Sequence, residues 1–495
     1  MTTEAAAAVT TLGRRCEAVT DWITARPRRW IIPVGILLLV QIGPWFYTAP
    51  DSVCYLSIAR SFWEPDGPRS LGNRFLFYPP GYPLLLAPAF LVDDRPFAVI
   101  GCLQVALAIV MAIGIYRWAL PLGREVAVFA VLVTVGHACF GLYFRRPLSE
   151  TAFMAELFWS GIVLNRACAA SEFRRQSLWA VAATLSIVAT CQLRPNGIVL
   201  APGFVAALAW QARHDRRRLR NAVLIGGAVC LVAVGLFLGG RALDDARAAT
   251  DRGVTYWDYL TKIQPTGETI IDRATEGMRI QMLEFLRLAI PGALKTHAKS
   301  GDWGSANTWL SIAVTLPLLV GWLRLMRIRP DALAWTMPFY LGLNVLWSAD
   351  QGGRYTLPIW PIAAVGLWLI VDRSRLPMRR LLVPVVMLHV AVAVGYWLAI
   401  DLPRTRAAND AWPNIDRLAA AIDADRDRVA SLNLTGDELN LLRLSLDRQV
   451  HDWQLDAAAG RPSIVWVAGP ATAEQPPGFA PVADAGPLRL WRRSE

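Results

Sequence analysis

The sequence predicts an all-α polytopic membrane protein that carries a small extracytoplasmic α/β domain at its C-terminal side. Hydrophobic residues make up 54% of the 495 residues. The mean hydropathy of +0.35 is too high for a soluble globular protein of this length. Long apolar runs recur throughout residues 1–400, whereas residues 401–495 are mostly polar. These observations separate a transmembrane domain, 1–400, from a soluble domain, 401–495.

A transmembrane helix needs about 20 apolar residues to cross the hydrocarbon core of a bilayer. About eleven runs come close to that length, which predicts about eleven transmembrane helices. The runs cover residues 31–48, 96–118, 126–143, 151–168, 177–193, 197–211, 221–240, 307–326, 332–349, 355–371 and 381–400. The proline-rich stretch 81–92 is predicted to dip into the outer leaflet without crossing it.

Charge placement predicts the orientation of these helices. The net charge is +11, and arginine supplies nearly all of the basic residues. Most arginines near the apolar runs lie in every second connecting segment. Because arginine is enriched in cytoplasmic loops, this distribution predicts a cytoplasmic N-terminus in the cytoplasmic membrane. Segments 49–95, 241–306 and 401–495 would then lie outside. Arginines placed between apolar runs indicate membrane lipids as surroundings and argue against a nucleic-acid partner.

Short segments rich in Val, Leu, Ile and Trp predict a small α/β fold for the outer domain. The predicted strands are Arg428–Asn433, Arg448–Trp453, Ser463–Ala468 and Leu488–Trp491, and a helix is predicted within Leu432–Leu444. The seven cysteines and five histidines show no spacing typical of a disulfide framework or a zinc site. No metal ligand is therefore assigned.

A carboxylate directly follows the first apolar run. Asp51 comes after Pro50, and Ser52 to Trp63 has helical spacing. Asp51 is either the N-cap of this helix or a general base whose pKa is raised by partial burial. The two interpretations are compatible. The face expected to contact the membrane comprises Tyr55, Ala59, Phe62 and Trp63.

A second carboxylate, Glu150, ends the outer turn Arg145-Arg146-Pro147-Leu148-Ser149-Glu150. Helix-end chemistry is one interpretation, with Ser149 as the cap and Glu150 at the positive end of the helix dipole. The other is a carboxylate that faces Asp51 across a cavity.

Arginines on the outer side depart from the charge rule that the rest of the chain obeys. One interpretation is that these arginines contact lipid headgroups. The other is that they bind a phosphate, because one guanidinium donates two hydrogen bonds to phosphate oxygens at once. The motifs Arg194-Pro195-Asn196-Gly197 and Gly352-Gly353-Arg354-Tyr355 combine arginine with loose backbone at a helix start, which favours phosphate binding. The candidate phosphate ligands are Arg145, Arg146, Arg194 and Arg354, and Asn196 and Tyr355 are candidate substrate contacts.

Aromatic residues accompany these charges. Tyr78 and Tyr82 lie in Tyr78-Pro79-Pro80-Gly81-Tyr82-Pro83. They are either belt residues of the membrane interface or, with Tyr55, surfaces on which a sugar or a prenyl chain stacks. His137 and His389 lie within apolar runs and are interpreted as core histidines, each alone.

These motifs together resemble the GT-C superfamily of integral-membrane glycosyltransferases, in particular the protein O-mannosyltransferase and lipid A aminoarabinose transferase group. The resemblance covers roughly residues 30–370. It rests on the motifs quoted above, namely Asp51 with Tyr55 and Ala59-Arg60, the segment from Tyr78 to Leu86, Ser149-Glu150, Arg194 to Gly197, and Arg354-Tyr355 with Pro358 and Pro361. The soluble tail is also similar to the outer domain of many such enzymes.

The resemblance implies an inverting transferase that moves a sugar from a polyprenyl-phosphate donor to a hydroxyl of a glycolipid, polysaccharide or protein acceptor. It maps the catalytic carboxylate onto Asp51 and a second acidic position onto Glu150. The family often has a paired Asp-Glu in the first outer loop, whereas Ser52 follows Asp51 here. No cofactor is assigned, and a divalent metal stays open. The alternatives are a lipid or glycan transporter, which would favour repeats and charges at mid-membrane, and an anchor for the outer domain.

Overall fold

The structure is a computed structural model, and the residues it describes are mostly helical, with one sheet near the C-terminal end. It describes residues 3–26, 28–43, 45–47, 49–65, 67–71, 78–170, 172–251, 269–290, 304–345, 353–373, 378–422, 428–431, 434, 436–446, 450–452, 464–476 and 479–493. The helices that precede the sheet domain are α1 (Thr3–Ala25), α2 (Arg28–Leu39), α3 (Pro50–Ser61), α4 (Gly81–Leu86), α5 (Phe97–Ala119), α6 (Arg124–Val135), α7 (Ala138–Arg145), α8 (Glu150–Ala169), α9 (Phe173–Leu193), α10 (Leu200–Ala212), α11 (Arg216–Asp251), α12 (Ile270–Ala289), α13 (Ala306–Ile328), α14 (Ala332–Val345), α15 (Trp360–Arg373), α16 (Met378–Tyr396) and α17 (Leu402–Ala421).

The apolar runs of the sequence coincide with these helices, and the prediction of an all-α polytopic membrane fold is confirmed. Within the described residues, five helices are long and apolar enough to span a membrane, or six if a bent pair counts as one span. Several other predicted spans are shorter helices, such as α2, α14 and α15. The figure of about eleven crossings stays a prediction.

The bent pair lies where a sequence break interrupts the run 126–143. Helices α6 and α7 meet at 58° around Gly136 and His137. The His137 ring accepts a hydrogen bond from the Cys139 N–H and so caps α7. His137 and His389 are both buried, as expected of core histidines. The expectation that each is alone is wrong, because their ring centroids are 5.3 Å apart.

The first outer segment packs onto the ends of the transmembrane helices. Gly81–Leu91 forms one short apolar helical stretch, too short to cross a bilayer as a helix. A Cβ at Gly81 would lie 2.5 Å from the Gln192 carbonyl oxygen, so only glycine lets this stretch sit against the end of α9. Helix α3 lies beside it. Tyr55 and Ala59 are buried, which corrects the prediction that they face the membrane, whereas Trp63 is exposed.

The C-terminal sheet domain has the predicted α/β character. Its strands β1 (Arg428–Ser431), β2 (Val450–Asp452), β3 (Ile464–Pro470), β4 (Phe479–Ala485) and β5 (Leu488–Arg493) form one sheet in the order β2-β1-β3-β5-β4, and α18 spans Gly436–Leu446. The pairs β1–β2 and β1–β3 are parallel, and β5 is antiparallel to β3 and β4. The predicted strand ends at 432–433, 448–449, 453 and 463 lie outside the described residues.

Strand β4 escaped prediction because its sequence lacks a run of β-branched residues. It lies at the sheet edge, and its register shifts between Pro481 and Ala483. Proline is tolerated in strands mainly at such edges and bulges.

Helix α17 connects the sheet domain to the helices that precede it. Its Trp412 packs against Phe46 and Phe97, with ring centroids 5.9 and 5.4 Å apart. The Asn409 side chain both donates to and accepts from the backbone of Phe46. The helix is thereby fixed against Phe46, which follows α2, and Phe97, which begins α5.

Candidate active site

Two carboxylates and two guanidinium groups come together at the ends of several helices. Arg354 donates from Nη1 to Asp51 Oδ2 and from Nε to Glu150 Oε1. Arg194 donates from Nη1 to Glu150 Oε1 at 2.7 Å. We call these four residues the Asp51 cluster. Its charges alternate in the order Asp51, Arg354, Glu150, Arg194, so that each carboxylate is neutralised by arginine.

Helix ends position the two carboxylates. Asp51 is in the first turn of α3, directly after Pro50 at the helix start. Ala49 is the N-cap residue, so Asp51 does not cap its helix; its side chain contacts Arg354 and Tyr78 instead. Glu150 is the first residue of α8. Both carboxylates therefore lie where the helix dipole favours negative charge.

The predicted cap at Ser149 is wrong. Ser149 is the N-cap residue of α8 but makes no side-chain capping bond. Its hydroxyl lies 3.1 Å from the Tyr55 hydroxyl, which links α8 to α3. This bond helps to hold Asp51 and Glu150 at a fixed separation.

The two carboxylates differ in accessibility. The Glu150 side chain is 1% exposed, whereas that of Asp51 is 24% exposed. Glu150 contacts both arginines and is suited to hold their positive charges in place. Asp51 is therefore the carboxylate of the pair that solvent and a ligand can reach.

The Asp51 carboxyl is held ionised. Burial alone would raise its pKa, but the Arg354 charge and the hydrogen bonds from Tyr78 and Arg354 outweigh burial and lower the pKa. The expectation of a raised pKa is therefore wrong for this arrangement. The same pairing raises the pKa of Arg354 against the opposing effect of burial, so its guanidinium stays charged.

Three tyrosines lie behind Asp51. The Tyr78 hydroxyl donates to Asp51 Oδ1 at 2.7 Å. The Tyr55 ring lies 4.8 Å from the ring of Tyr78 and 5.0 Å from that of Tyr82. Tyr82 accepts a hydrogen bond from Gln104 at 2.6 Å. Tyr55 and Tyr82 are buried, which favours a supporting role, and their contact with substrate stays a prediction.

Asn196 and Tyr355 lie at the arginine side of the cluster. The Arg194 guanidinium carbon is 5.6 Å from the centroid of the Tyr355 ring. Asn196 donates to Asn344 at 2.9 Å, which ties the Arg194 turn to the end of α14. Both residues are partly exposed.

Arg145 and Arg146 do not join the Asp51 cluster. Arg145 contacts Asp401 at 2.8 Å through Nη2 and donates to Gln41 at 2.7 Å through Nη1. Arg146 contacts Asp401 at 3.7 Å. We call Gln41, Arg145, Arg146 and Asp401 the Asp401 cluster. The Arg145 side chain is only 1% exposed, which favours a structural role over the predicted phosphate contact.

Several contributing residues were absent from the sequence-based candidates. Asp401 directly follows the last apolar run, as Asp51 follows the first, and this parallel could have identified it. Gln104 lies inside an apolar run and contacts Tyr82. Glu284 is buried on α12 and accepts hydrogen bonds from Thr356. The sequence could have identified Glu284 as a carboxylate on the apolar face of an amphipathic segment that is predicted to lie outside.

The cluster offers a poor donor set for a divalent cation. Both carboxylates are already neutralised by guanidinium groups. No group of three His, Cys, Asp or Glu residues that could hold a metal ion occurs in the described part of the chain. We therefore derive no step through a metal.

Comparison with known proteins identifies the architecture. No protein-family model and no curated protein matches the chain. Two solved structures of ArnT from Cupriavidus metallidurans are similar over nearly the full length of both chains. The apo form has a TM-score of 0.56 at 14% identity, with 96% of this chain and 98% of ArnT covered. The form bound to undecaprenyl phosphate has a TM-score of 0.57 at 13% identity, with 95% and 98% covered.

The chain has the GT-C fold. A third similar structure is the oligosaccharyltransferase AglB from Archaeoglobus fulgidus, in complex with an inhibitory peptide and a dolichol-phosphate. It has a TM-score of 0.51 at 11% identity, with 90% of this chain and 70% of AglB covered. At these identities the likeness concerns the GT-C fold, and the chemistry must be argued from the site.

Proposed function

We propose that the chain is an inverting glycosyltransferase of the cytoplasmic membrane. It moves a sugar, a hexose or a pentose, from a polyprenyl-phosphate donor to an acceptor hydroxyl at the outer face. The Asp51 cluster carries this proposal, because it combines a partly exposed carboxylate with two guanidinium groups at helix ends that are predicted to face outward. The GT-C fold supports it, since ArnT is similar over nearly its whole length and has been observed with undecaprenyl phosphate.

The arginines are suited to bind the donor phosphate. Arg354 uses Nε and Nη1 for the two carboxylates. Its Nη2 group makes no hydrogen bond among the described residues and is therefore available to a phosphate oxygen. Arg194 similarly uses Nη1 for Glu150. The isoprenoid chain would lie between the helices while its phosphate reaches this level.

Asp51 would act as the general base. The acceptor oxygen attacks the anomeric carbon of the sugar as the bond from that carbon to the phosphate oxygen breaks. The acceptor proton passes to Asp51, and the phosphate leaves with the bonding electrons. Arg354 and Arg194 stabilise the charge that develops on it, an electrostatic contribution that often dominates catalysis.

Donor binding would also activate the base. In the structure Tyr78 and Arg354 occupy the two oxygens of Asp51, which weakens its basicity. A phosphate that competes for Arg354 would withdraw one of these contacts. The pKa of Asp51 would then rise in the donor complex, and the carboxylate would become a stronger base when substrate is present.

The test is release of polyprenyl phosphate by the purified protein. The protein is incubated with polyprenyl-phosphate sugars and an extract of glycolipids, polysaccharides and proteins as acceptors. We expect the wild type to release polyprenyl phosphate, Asp51→Asn to lose this activity, and Asp416→Asn to retain it. Asp416 is a matched control, because this carboxylate on α17 is also paired with an arginine, Arg95. Normal turnover by folded Asp51→Asn would remove Asp51 as the base.

Orientation is tested by labelling introduced cysteines in a variant without the native ones. Position 148 is unsuitable because Leu148 is buried. Glu64 in the first outer segment and Arg216 at the start of α11 are both exposed. We expect an impermeant thiol reagent to label Glu64→Cys but not Arg216→Cys in intact cells. The reverse pattern would place the cluster at the inner face.

A further inference from the structure

The turn that carries Arg354 is held by a residue from a different part of the chain. Glu284, on α12, is fully buried. Its Oε2 atom accepts hydrogen bonds from the backbone N–H and from the hydroxyl of Thr356, each at 3.0 Å. Two bonds from one residue to one carboxylate oxygen fix that residue in position and orientation. Hydrogen bonds to a charged acceptor are stronger than those between neutral groups.

The position of Thr356 determines that of Arg354, two residues before it. Gly353 opens the turn with a φ of +95°, in the left-handed region that favours glycine. The Leu357 N–H donates to the Gly353 carbonyl at 3.0 Å and closes the turn. A turn that is closed at its base and held at Thr356 leaves the Arg354 backbone little freedom. The guanidinium can then reach Asp51 and Glu150 together.

Helix α12 is itself firmly placed. A Cβ at Gly277 would lie 1.8 Å from the carbonyl oxygen of Val345, so glycine permits the close approach of α12 to the end of α14. Thr269 and Asp272 form a capping box at the start of the helix. Glu284 therefore reaches the Arg354 turn from a fixed support.

We propose that Glu284 is a positioning residue that sets the reach of Arg354 toward the donor phosphate. It acts through Thr356 and does not touch the reacting atoms. Because α12 belongs to the outer segment 241–306, which is predicted to shape the acceptor site, this contact also joins the acceptor side to the donor side. The inference rests on the proposed glycosyltransferase function.

The experiment separates positioning from simple packing. The variants are Glu284→Gln, Glu284→Ala, Thr356→Val and the double variant Glu284→Ala/Thr356→Val, in the full-length protein in lipid nanodiscs. Gln281→Ala is the matched control: Gln281 is buried on the same helix, and its side chain makes no hydrogen bond among the described residues. The experiment measures the Kd for undecaprenyl phosphate, the kcat and KM for sugar transfer, and the Tm of each variant.

We expect Glu284→Ala to weaken phosphate binding and kcat by about tenfold, as for loss of a charged hydrogen bond. Glu284→Gln keeps an acceptor oxygen and should restore most of both. Thr356→Val removes only the hydroxyl bond and should lose less. The double variant should resemble Glu284→Ala, because the two residues act through one contact. Gln281→Ala should lower Tm without changing the Kd.

Three results would overturn the inference: an unchanged Kd and kcat in Glu284→Ala, additive effects in the double variant, or equal losses in Gln281→Ala. If Glu284→Ala does not fold, Thr356→Val decides, and wild-type Kd and kcat in that variant reject the role. A wild type that neither binds undecaprenyl phosphate nor transfers sugar contradicts the proposed function itself. An active wild type with a silent Glu284→Ala contradicts only the positioning role.

Discussion

The Asp51 cluster and the Asp401 cluster are built from the same groups but are arranged for different tasks. Each joins arginines to a carboxylate that follows an apolar run on the predicted outer side. Asp401 contacts Arg145 and Arg146, and its side chain is 6% exposed. Asp51 is 24% exposed and shares Arg354 with Glu150. Of these two clusters, only the one that remains open to solvent is therefore a candidate ligand site.

The surroundings of the two clusters support this distinction. The Asp51 cluster joins α3, α8 and the turns before α10 and α15, so it collects loops from across the membrane domain. The Asp401 cluster joins the end of α7 to a π-helical turn, Trp397–Asp401, that leads into α17. It therefore lies where the chain leads into the sheet domain and is suited to fix that connection.

The largest difference is expected between Asp51→Asn and Asp401→Asn in turnover. Loss of a general base typically costs about 10²- to 10⁴-fold. Asp51→Asn should fall in that range, whereas folded Asp401→Asn should keep most of its activity. The measurement is the rate of polyprenyl phosphate release. Equal losses in the two variants would erase the functional distinction between the clusters.

Stability should show the opposite pattern. Removing one partner of a buried ion pair costs about 3–5 kcal/mol, because the other charge is left uncompensated. Arg145→Ala should therefore lower Tm and increase proteolysis at the junction with α17, and the Kd for undecaprenyl phosphate should not change. Thermal unfolding and limited proteolysis check this. A stable Arg145→Ala variant with weakened phosphate binding would return Arg145 to the list of phosphate ligands.

The third expected difference is between Arg354 and Arg145, in the rate at which the sugar donor is used. Losing one preorganised donor to a developing oxyanion costs about 10²- to 10³-fold in kcat. We expect Arg354→Ala to lose that much. Arg354→Lys should recover only part, because an ammonium group cannot reproduce the fork that contacts two carboxylates. The measurement is kcat from steady-state kinetics, and Arg145→Ala is the control. Unchanged turnover in Arg354→Ala would remove it from the phosphate site.

The sequence predicted the helices and the residues of the Asp51 cluster, but not how the charges pair. Spanning runs reveal themselves by length, and Asp51, Glu150, Arg194 and Arg354 are conspicuous because charge is costly near a membrane. Pairing depends on which helix ends meet, which no local pattern specifies. Arg145 was therefore grouped with Arg354, although it contacts Asp401.

Three other misses have separate causes. The buried face of α3 was assigned to lipid because apolar residues look the same whether they contact lipid or protein. Glu284 was overlooked because its role exists only through a contact with Thr356, distant in sequence. Strand β4 was missed because three of its seven residues are alanine and one is proline, which are not typical strand residues.

The smallest expected effect concerns pH. The pKa of Asp51 is lowered, so the free protein keeps the base ionised until the pH falls below the ordinary value of 3.8. Tyr78→Phe removes a hydrogen bond to the charged form, so the pKa should rise and the acid limb of kcat/KM should move to higher pH. We also expect the acid limb of kcat to lie at higher pH than that of kcat/KM, because bound donor competes for Arg354.

The pH profiles of wild type and Tyr78→Phe, measured over a range in which both stay folded, check this. Trp63→Phe, in which an exposed residue of the same outer segment is changed, is the control. An acid limb that stays in place in Tyr78→Phe would show that this hydroxyl does not influence the base.

The most direct test of the central claim is a structure of the protein with a polyprenyl phosphate bound. The Asp51 cluster should hold the phosphate, with oxygens about 2.7–3.2 Å from guanidinium nitrogens of Arg354 or Arg194. Asp51 should then face the position of the transferred sugar. A phosphate bound instead at Arg145 and Arg146, or at neither cluster, would contradict the account.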